Sequence, residues 1–124
     1  MPFIAAADAP QFHLHGATFT GLASPSRGAT ANSVWIVTLL DTAQAVTHTL
    51  SAEETIVCIE GRALATLGDA QHELTPGSAI VIPPEVPFSL RNLHAEPFRG
   101  VAIMPAGAQA CVSGQPPFAP PWTH

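Results

Sequence analysis

The sequence predicts an all-β fold, a sandwich or barrel of short strands, and three observations carry that prediction. Pro and Gly, thirteen and nine of them in 124 residues, punctuate the chain so closely that few segments exceed eight residues without a breaker. Between the breakers lie short runs that are apolar or alternate apolar with polar, the pattern of strands with at least one buried face. No segment shows a convincing helical period, the Ala-rich residues 4–9 coming nearest.

The runs in order are residues 17–22, 33–40, 45–50, 54–60, 63–67, 79–82, 88–93 and 98–104. In the second, Val34, Ile36, Thr38 and Leu40 alternate with Trp35, Val37 and Leu39, so this strand is expected to be buried on both sides. A polar turn at Ser51 to Glu53 separates the third run from the fourth, and Gly61 stops the fourth. Glu60-Gly61 is expected to fold 54–59 back on 63–67 as a hairpin, with Gly61 supplying a positive φ; Gly68-Asp69 turns the chain again toward 71–74. Thr75-Pro76-Gly77 then leads into 79–82, which Pro83-Pro84 ends because neither residue can donate to a ladder. This succession of hairpins suits a jelly roll.

Length and composition bound the rest. A chain of 124 residues makes one domain, with a barrel core at about 17–104, an N-terminal arm at 1–16 and a Pro-rich tail at 105–124. Four Arg, no Lys and nine acidic residues give a net charge of −5, which argues against nucleic acid or an anionic membrane surface as a partner. No run approaches the roughly 18 apolar residues that span a bilayer, and MPFIAAADAP lacks the basic start of a secretory signal. Cys58 and Cys111 make no disulfide framework. A cytoplasmic protein with free thiols is expected.

The chemistry concentrates in His48 to Gly61, HTLSAEETIVCIEG. Strand residues two apart share a face, so His48 goes with Leu50, and Glu54 with Ile56 and Cys58. If the turn folds the two strands together, His48 and Glu54 meet as a polar pair in an apolar wall. His48, the position two later, Glu54 and Gly61 have the spacing of the first cupin motif. Gly77, Pro83, Phe88 and Asn92 have that of the second. Over 42–92 the chain therefore resembles the cupin superfamily, small bacterial single-domain cupins of the RmlC-like type. The resemblance implies a cupin double-stranded β-helix, the jelly-roll barrel, and a metal held by His, His, Glu and His. Here the second and third His positions are Leu50 and Phe88, which leaves His48 and Glu54 as the only metal ligands of that set.

Two protein ligands hold a divalent ion poorly, so the reading is a degenerate metal site and no cofactor. A divalent transition metal, iron, manganese, nickel or zinc, is the alternative. Other imidazoles offer little: His13 and His15 alternate on what reads as an edge strand or arm, His72 lies on a polar strand, His94 in a turn, and His124 is the last residue. Arg62 and Arg91 read as surface residues. Seven Ser lack any nucleophile-elbow context. The tail 114–124, with Phe118 and Trp122 as anchors, either lies over its own barrel or reaches across a dimer.

The expected ligand pocket is His48, Leu50, Glu54, Ile56, Cys58, Phe88 and Leu90, dry and suited to an apolar or aromatic small molecule with one polar group for His48 or Glu54. Cys58 has no basic neighbour to activate it and reads as a small buried hydrophobe. The leading function is small-molecule binding. The alternative is an enzyme, either a metal-dependent oxygenase or isomerase with ligands the motif does not reveal, or a metal-free acid–base catalyst using His48 and Glu54. The metal-free epimerases among the cupins pair a His base with a Tyr acid, and this chain has no Tyr. A homodimer is expected, because few charges blunt its edge strands.

Overall fold

A computed structural model describes residues 1–14 and 16–124; His15 lies outside the described residues. The chain forms eleven strands in two antiparallel sheets: β1 (Gln11–Leu14), β2 (Ala17–Gly21), β3 (Asn32–Leu39), β4 (His48–Leu50), β5 (Glu54–Glu60), β6 (Ala63–Leu67), β7 (Ala70–Leu74), β8 (Ala79–Ile82), β9 (Phe88–Arg91), β10 (Phe98–Pro105) and β11 (Ala110–Val112). The first sheet runs β1-β2-β3-β10-β5-β8, the second β11-β4-β9-β6-β7. This is a jelly roll. Ala6–Asp8, in the Ala-rich segment, forms one short 3-10 turn. Among the described residues no helix is long and apolar enough to cross a membrane.

From β3 onward nearly every connection passes the chain from one sheet to the other. The exception is β6–β7, whose register Leu67↔Ala70 leaves Gly68-Asp69 as the expected two-residue turn. The hairpin expected at Glu60-Gly61 does not form: β5 pairs with β10 and β8, whereas β6 pairs with β7 and β9. Gly61 instead turns a corner between sheets, at φ 73°, and a Cβ there would collide with the carbonyl oxygen of Pro97. The turn chemistry was read correctly and its topology was not, since a positive-φ glycine serves a corner as well as a hairpin.

The core lies between the sheets. Trp35, Val37 and Leu39 of β3 face inward with Ile56 and Cys58 of β5, Ile80 and Ile82 of β8, and Phe98, Ala102 and Met104 of β10. The opposite face of β3 is half-exposed, so burial on both sides is corrected to burial on one. No layer covers the outside of the six-stranded sheet, which makes the continuous apolar run an outer surface patch.

Two polar anchors hold the loops. Asn92, buried, donates through Nδ2 to the carbonyls of Leu39 (3.0 Å) and Glu96 (2.9 Å), and its Oδ1 accepts from the His94 amide (2.8 Å). This motif residue fastens the β9–β10 turn to the end of β3. The tail folds back over its own barrel. Trp122 stacks on Phe19 at 3.8 Å with the rings nearly parallel, Ser33 donates to the Thr123 carbonyl (2.8 Å), and Ser24 and Ser26 donate to the His124 oxygen.

Candidate functional site

Alternation along eight strands leaves one end of the sandwich unfilled. Near β6, β7 and β8 the sheets meet through the buried side chains of Ala63, Ala65, Leu74, Ile80 and Ile82. Toward β1, β2 and β11 they part around a cavity of about 440 Å³, a volume in the range of small-molecule sites. Its walls come from both sheets, and Phe118, Pro120 and Trp122 of the tail close one side.

His48, Leu50, Glu54, Ile56, Phe88 and Leu90 all line this cavity. Cys58 does not: it is wholly buried deeper along β5, with its thiol directed to the carbonyls of Gly61 (3.4 Å) and Glu60 (3.8 Å). Burial pushes that thiol's pKa up, which suits a structural cysteine. Walls that the motif spacing does not indicate are Phe19, Trp35, Met104, Ala110, Phe118 and Trp122. For Trp35 the alternation of β3 carried the signal; for the tail aromatics only their isolation among prolines did.

His48 and Glu54 sit on opposite sheets, β4 in one and β5 in the other, and face the same space without a hydrogen bond between them. The expected mutual pairing is therefore replaced by two separate environments. His48 pairs across the ladder with Phe88, the rings edge-to-face at 5.7 Å, and its Nδ1 lies 2.9 Å from the Val46 carbonyl. A carbonyl only accepts, so Nδ1 donates to it, and Nε2 has no partner among the described residues.

Glu54 is 5% exposed and lines the cavity, and burial is the sole influence on its carboxyl, with no hydrogen-bond or ion-pair partner among the described residues. Desolvation alone pushes its pKa up from 4.5 to about 8, so the group is largely protonated at neutral pH. None of the four Arg lines the cavity, and Glu54 is the one acidic residue that does. Arg62 contacts Glu73 (3.6 Å) and His94 (3.1 Å) on the surface, Arg99 reaches Glu60 (3.4 Å), and Arg27 donates to the Leu22 carbonyl (2.5 Å).

The donor set does not fit a metal. His48 and Glu54 are joined by the apolar side chains of Leu50 and Phe88, 3% and 2% exposed. Nowhere among the described residues do three His, Cys, Asp or Glu side chains converge, whereas a catalytic zinc usually takes three protein ligands. His13 lies on the β1 edge strand, exposed and bonded to Thr18 (3.0 Å), and His72 is exposed on β7. The expectation for His15 lies outside the described residues.

The sequence profile described as Cupin domain matches residues 35–104, more than half of the chain. No curated protein matches in sequence. Among solved structures, the chain is similar to the polyketide cyclase RemF from Streptomyces resistomycificus, with a TM-score of 0.79 and 18% identity over 94% of this chain and 87% of that one. An RmlC-like cupin from Shewanella frigidimarina gives a TM-score of 0.73 and 12% identity over 85% and 90% of the two chains. Salicylate 1,2-dioxygenase from Pseudoaminobacter salicylatoxidans, in adducts with gentisate, gives 0.71 and 17% over 86% of this chain and 31% of that one. At these identities the likeness is one of fold.

Proposed function

The chain belongs to the cupin family, and on that premise we propose that it binds an apolar, aromatic small molecule in the cavity between its sheets, with the ligand's polar group directed to Glu54 or His48. One observation carries the reading: a roomy cavity walled by Phe19, Trp35, Phe88, Phe118 and Trp122 has a single unpartnered carboxyl in its lining. Apolar walls supply affinity and the few polar groups supply orientation. One protein of similar fold, a salicylate 1,2-dioxygenase holding gentisate, carries an aromatic ligand, which is consistent with such a ligand here. Where the family's motif implies a metal, the donors here fall short, so the binding reading assigns no step to one.

Calorimetric titration with naphthylmethanol, a neutral aromatic probe, tests this. Saturable one-to-one binding that weakens when Ala102→Trp fills the cavity is the expected result. Absence of binding to the folded protein overturns the reading.

A second reading, acid–base catalysis, rests on a separate observation: burial raises the pKa of Glu54 to about 8, so it is mostly protonated at neutral pH, while the Nδ1 hydrogen bond of His48 to Val46 on the facing sheet leaves Nε2 without a partner. Proton donation from Glu54 and acceptance at Nε2 would act on one bound molecule from two sides. With a turned-over substrate in hand, His48→Ala lowers kcat under this reading and changes only affinity under the first.

A further inference from the structure

The walls of the cavity pose an electrostatic question that an apolar ligand alone does not answer. A carboxyl taken out of water without a partner is among the costlier things a fold can bury, and such groups are as a rule paired or neutralised. Glu54 has neither a cation nor a hydrogen-bond donor beside it among the described residues. The cavity lining contains no Lys and no Arg, the chain as a whole carries a net charge of −5, and five aromatic rings stand in an otherwise mainly aliphatic wall. Each of these features disfavours an anion. A negative field draws cations toward a cleft, and aromatic walls attract an ammonium or guanidinium that comes within about 6 Å of a ring.

Resting on the reading of the cavity as an aromatic-ligand site, we propose that its ligand is an apolar amine, whose ammonium pairs with the Glu54 carboxylate while its hydrocarbon part fills the space bounded by Trp35, Phe88 and Trp122. The proton balance is simple. The amine arrives as ammonium, the neutral carboxyl of Glu54 releases its proton to solvent, and the buried ion pair replaces an unpartnered acid. His48, with Nε2 unpartnered, accepts a second ammonium hydrogen from a ligand that reaches across the cavity. No anionic group is accommodated, because no lining side chain is a standing cation.

Three isosteric probes decide the matter: naphthylmethylamine, naphthylmethanol and naphthoic acid, each titrated calorimetrically into the full chain. The amine is expected to bind about tenfold or more tightly than the alcohol, the margin of a charge-assisted over a neutral hydrogen bond, and the acid most weakly. In Glu54→Gln the ratio of amine to alcohol affinity is expected to fall to about one, whatever the change in either affinity alone. An alcohol that binds as tightly as the amine, or an acid that binds best, overturns the amine proposal and leaves the aromatic site standing. Failure of all three overturns both. The wild-type comparison needs no variant, so misfolding of Glu54→Gln does not rescue the proposal.

Discussion

Glu54 holds a carboxyl where water is scarce, and its pKa of about 8 against an ordinary 4.5 makes it a cost to the fold. Below pH 4.5 the group is protonated in both the folded and unfolded chain and costs nothing through ionisation. As pH rises from 4.5 to 8 the unfolded chain releases this proton and the folded one keeps it, so stability falls through that window and levels off above it. Glu54→Gln, which cannot ionise, is expected to flatten the decline. The gap in unfolding free energy from urea titrations should open with pH and reach as much as about 5 kcal/mol above pH 8, at about 1.4 kcal/mol per pH unit. A wild-type profile that stays flat between those values contradicts an uncharged Glu54. Leu50 and Phe88 make the second residue-scale prediction. His48 and Phe88 are opposite one another across the β4–β9 ladder, with Leu50 on the same face of β4. Leu50→His combined with Phe88→His therefore is expected to gain a stoichiometric transition metal by mass spectrometry that the wild-type protein does not retain. These residues were legible in the sequence because motif spacing names positions directly. That His48 and Glu54 would not touch was not legible, since spacing is silent on which sheet each strand joins.

At the scale of elements, strands were easier to read than their partners. The runs that became β2, β3, β5, β6, β8, β9 and β10 could be located from period and breakers because alternation and proline act locally. The corner at Gly61 was mistaken for a hairpin because both need the same backbone conformation, and only contact with the distant β9–β10 segment separates them. Gly61→Ala is expected to cost about 1–3 kcal/mol for the positive φ alone, with more from the Pro97 carbonyl, read as a lowered denaturation midpoint. The tail shows the same limit. Its Phe118 pairs with Ala110 in an isolated bridge, and Trp122 reaches Phe19 over a separation of about a hundred residues, neither of which a local pattern encodes. Trp122 is a wall of the cavity and an anchor of the tail together. Trp122→Ala is expected to lose about 2–3 kcal/mol of stability, below the roughly 3–5 kcal/mol of fully buried aromatic truncations because the side chain is only partly buried, and to weaken naphthylmethanol binding in the same protein. Its Nε1 is buried without a partner, so Trp122→Phe, which keeps the stack and removes the orphan donor, is expected to retain most of that stability.

For the whole molecule, the uncovered outer face of the six-stranded sheet is the largest apolar feature left over. Val34, Ile36, Val101, Ile103, Val57 and Val81 lie on four adjoining strands in register, with Val81 and Ile103 51% and 37% exposed. Arg99, on the same face of β10, borders them and is paired with Glu60 (3.4 Å). A second copy of the chain presents the same surface and so meets it without burying an unpaired charge. Sedimentation at micromolar concentration is expected to show a dimer that Ile103→Glu converts to monomer, and a wild-type monomer contradicts this. The fold class and family were within reach of the sequence, while the cavity was not: it exists because β1, β2, β11 and the tail close around it from both ends of the chain. Its use as an aromatic-ligand site without a metal is tested most directly by one calorimetric titration of chelator-treated protein with naphthylmethanol, repeated after adding iron, manganese, nickel or zinc. The account predicts saturable binding in the stripped protein, with an affinity the metals leave unchanged. Binding that appears only once a metal is restored would contradict it.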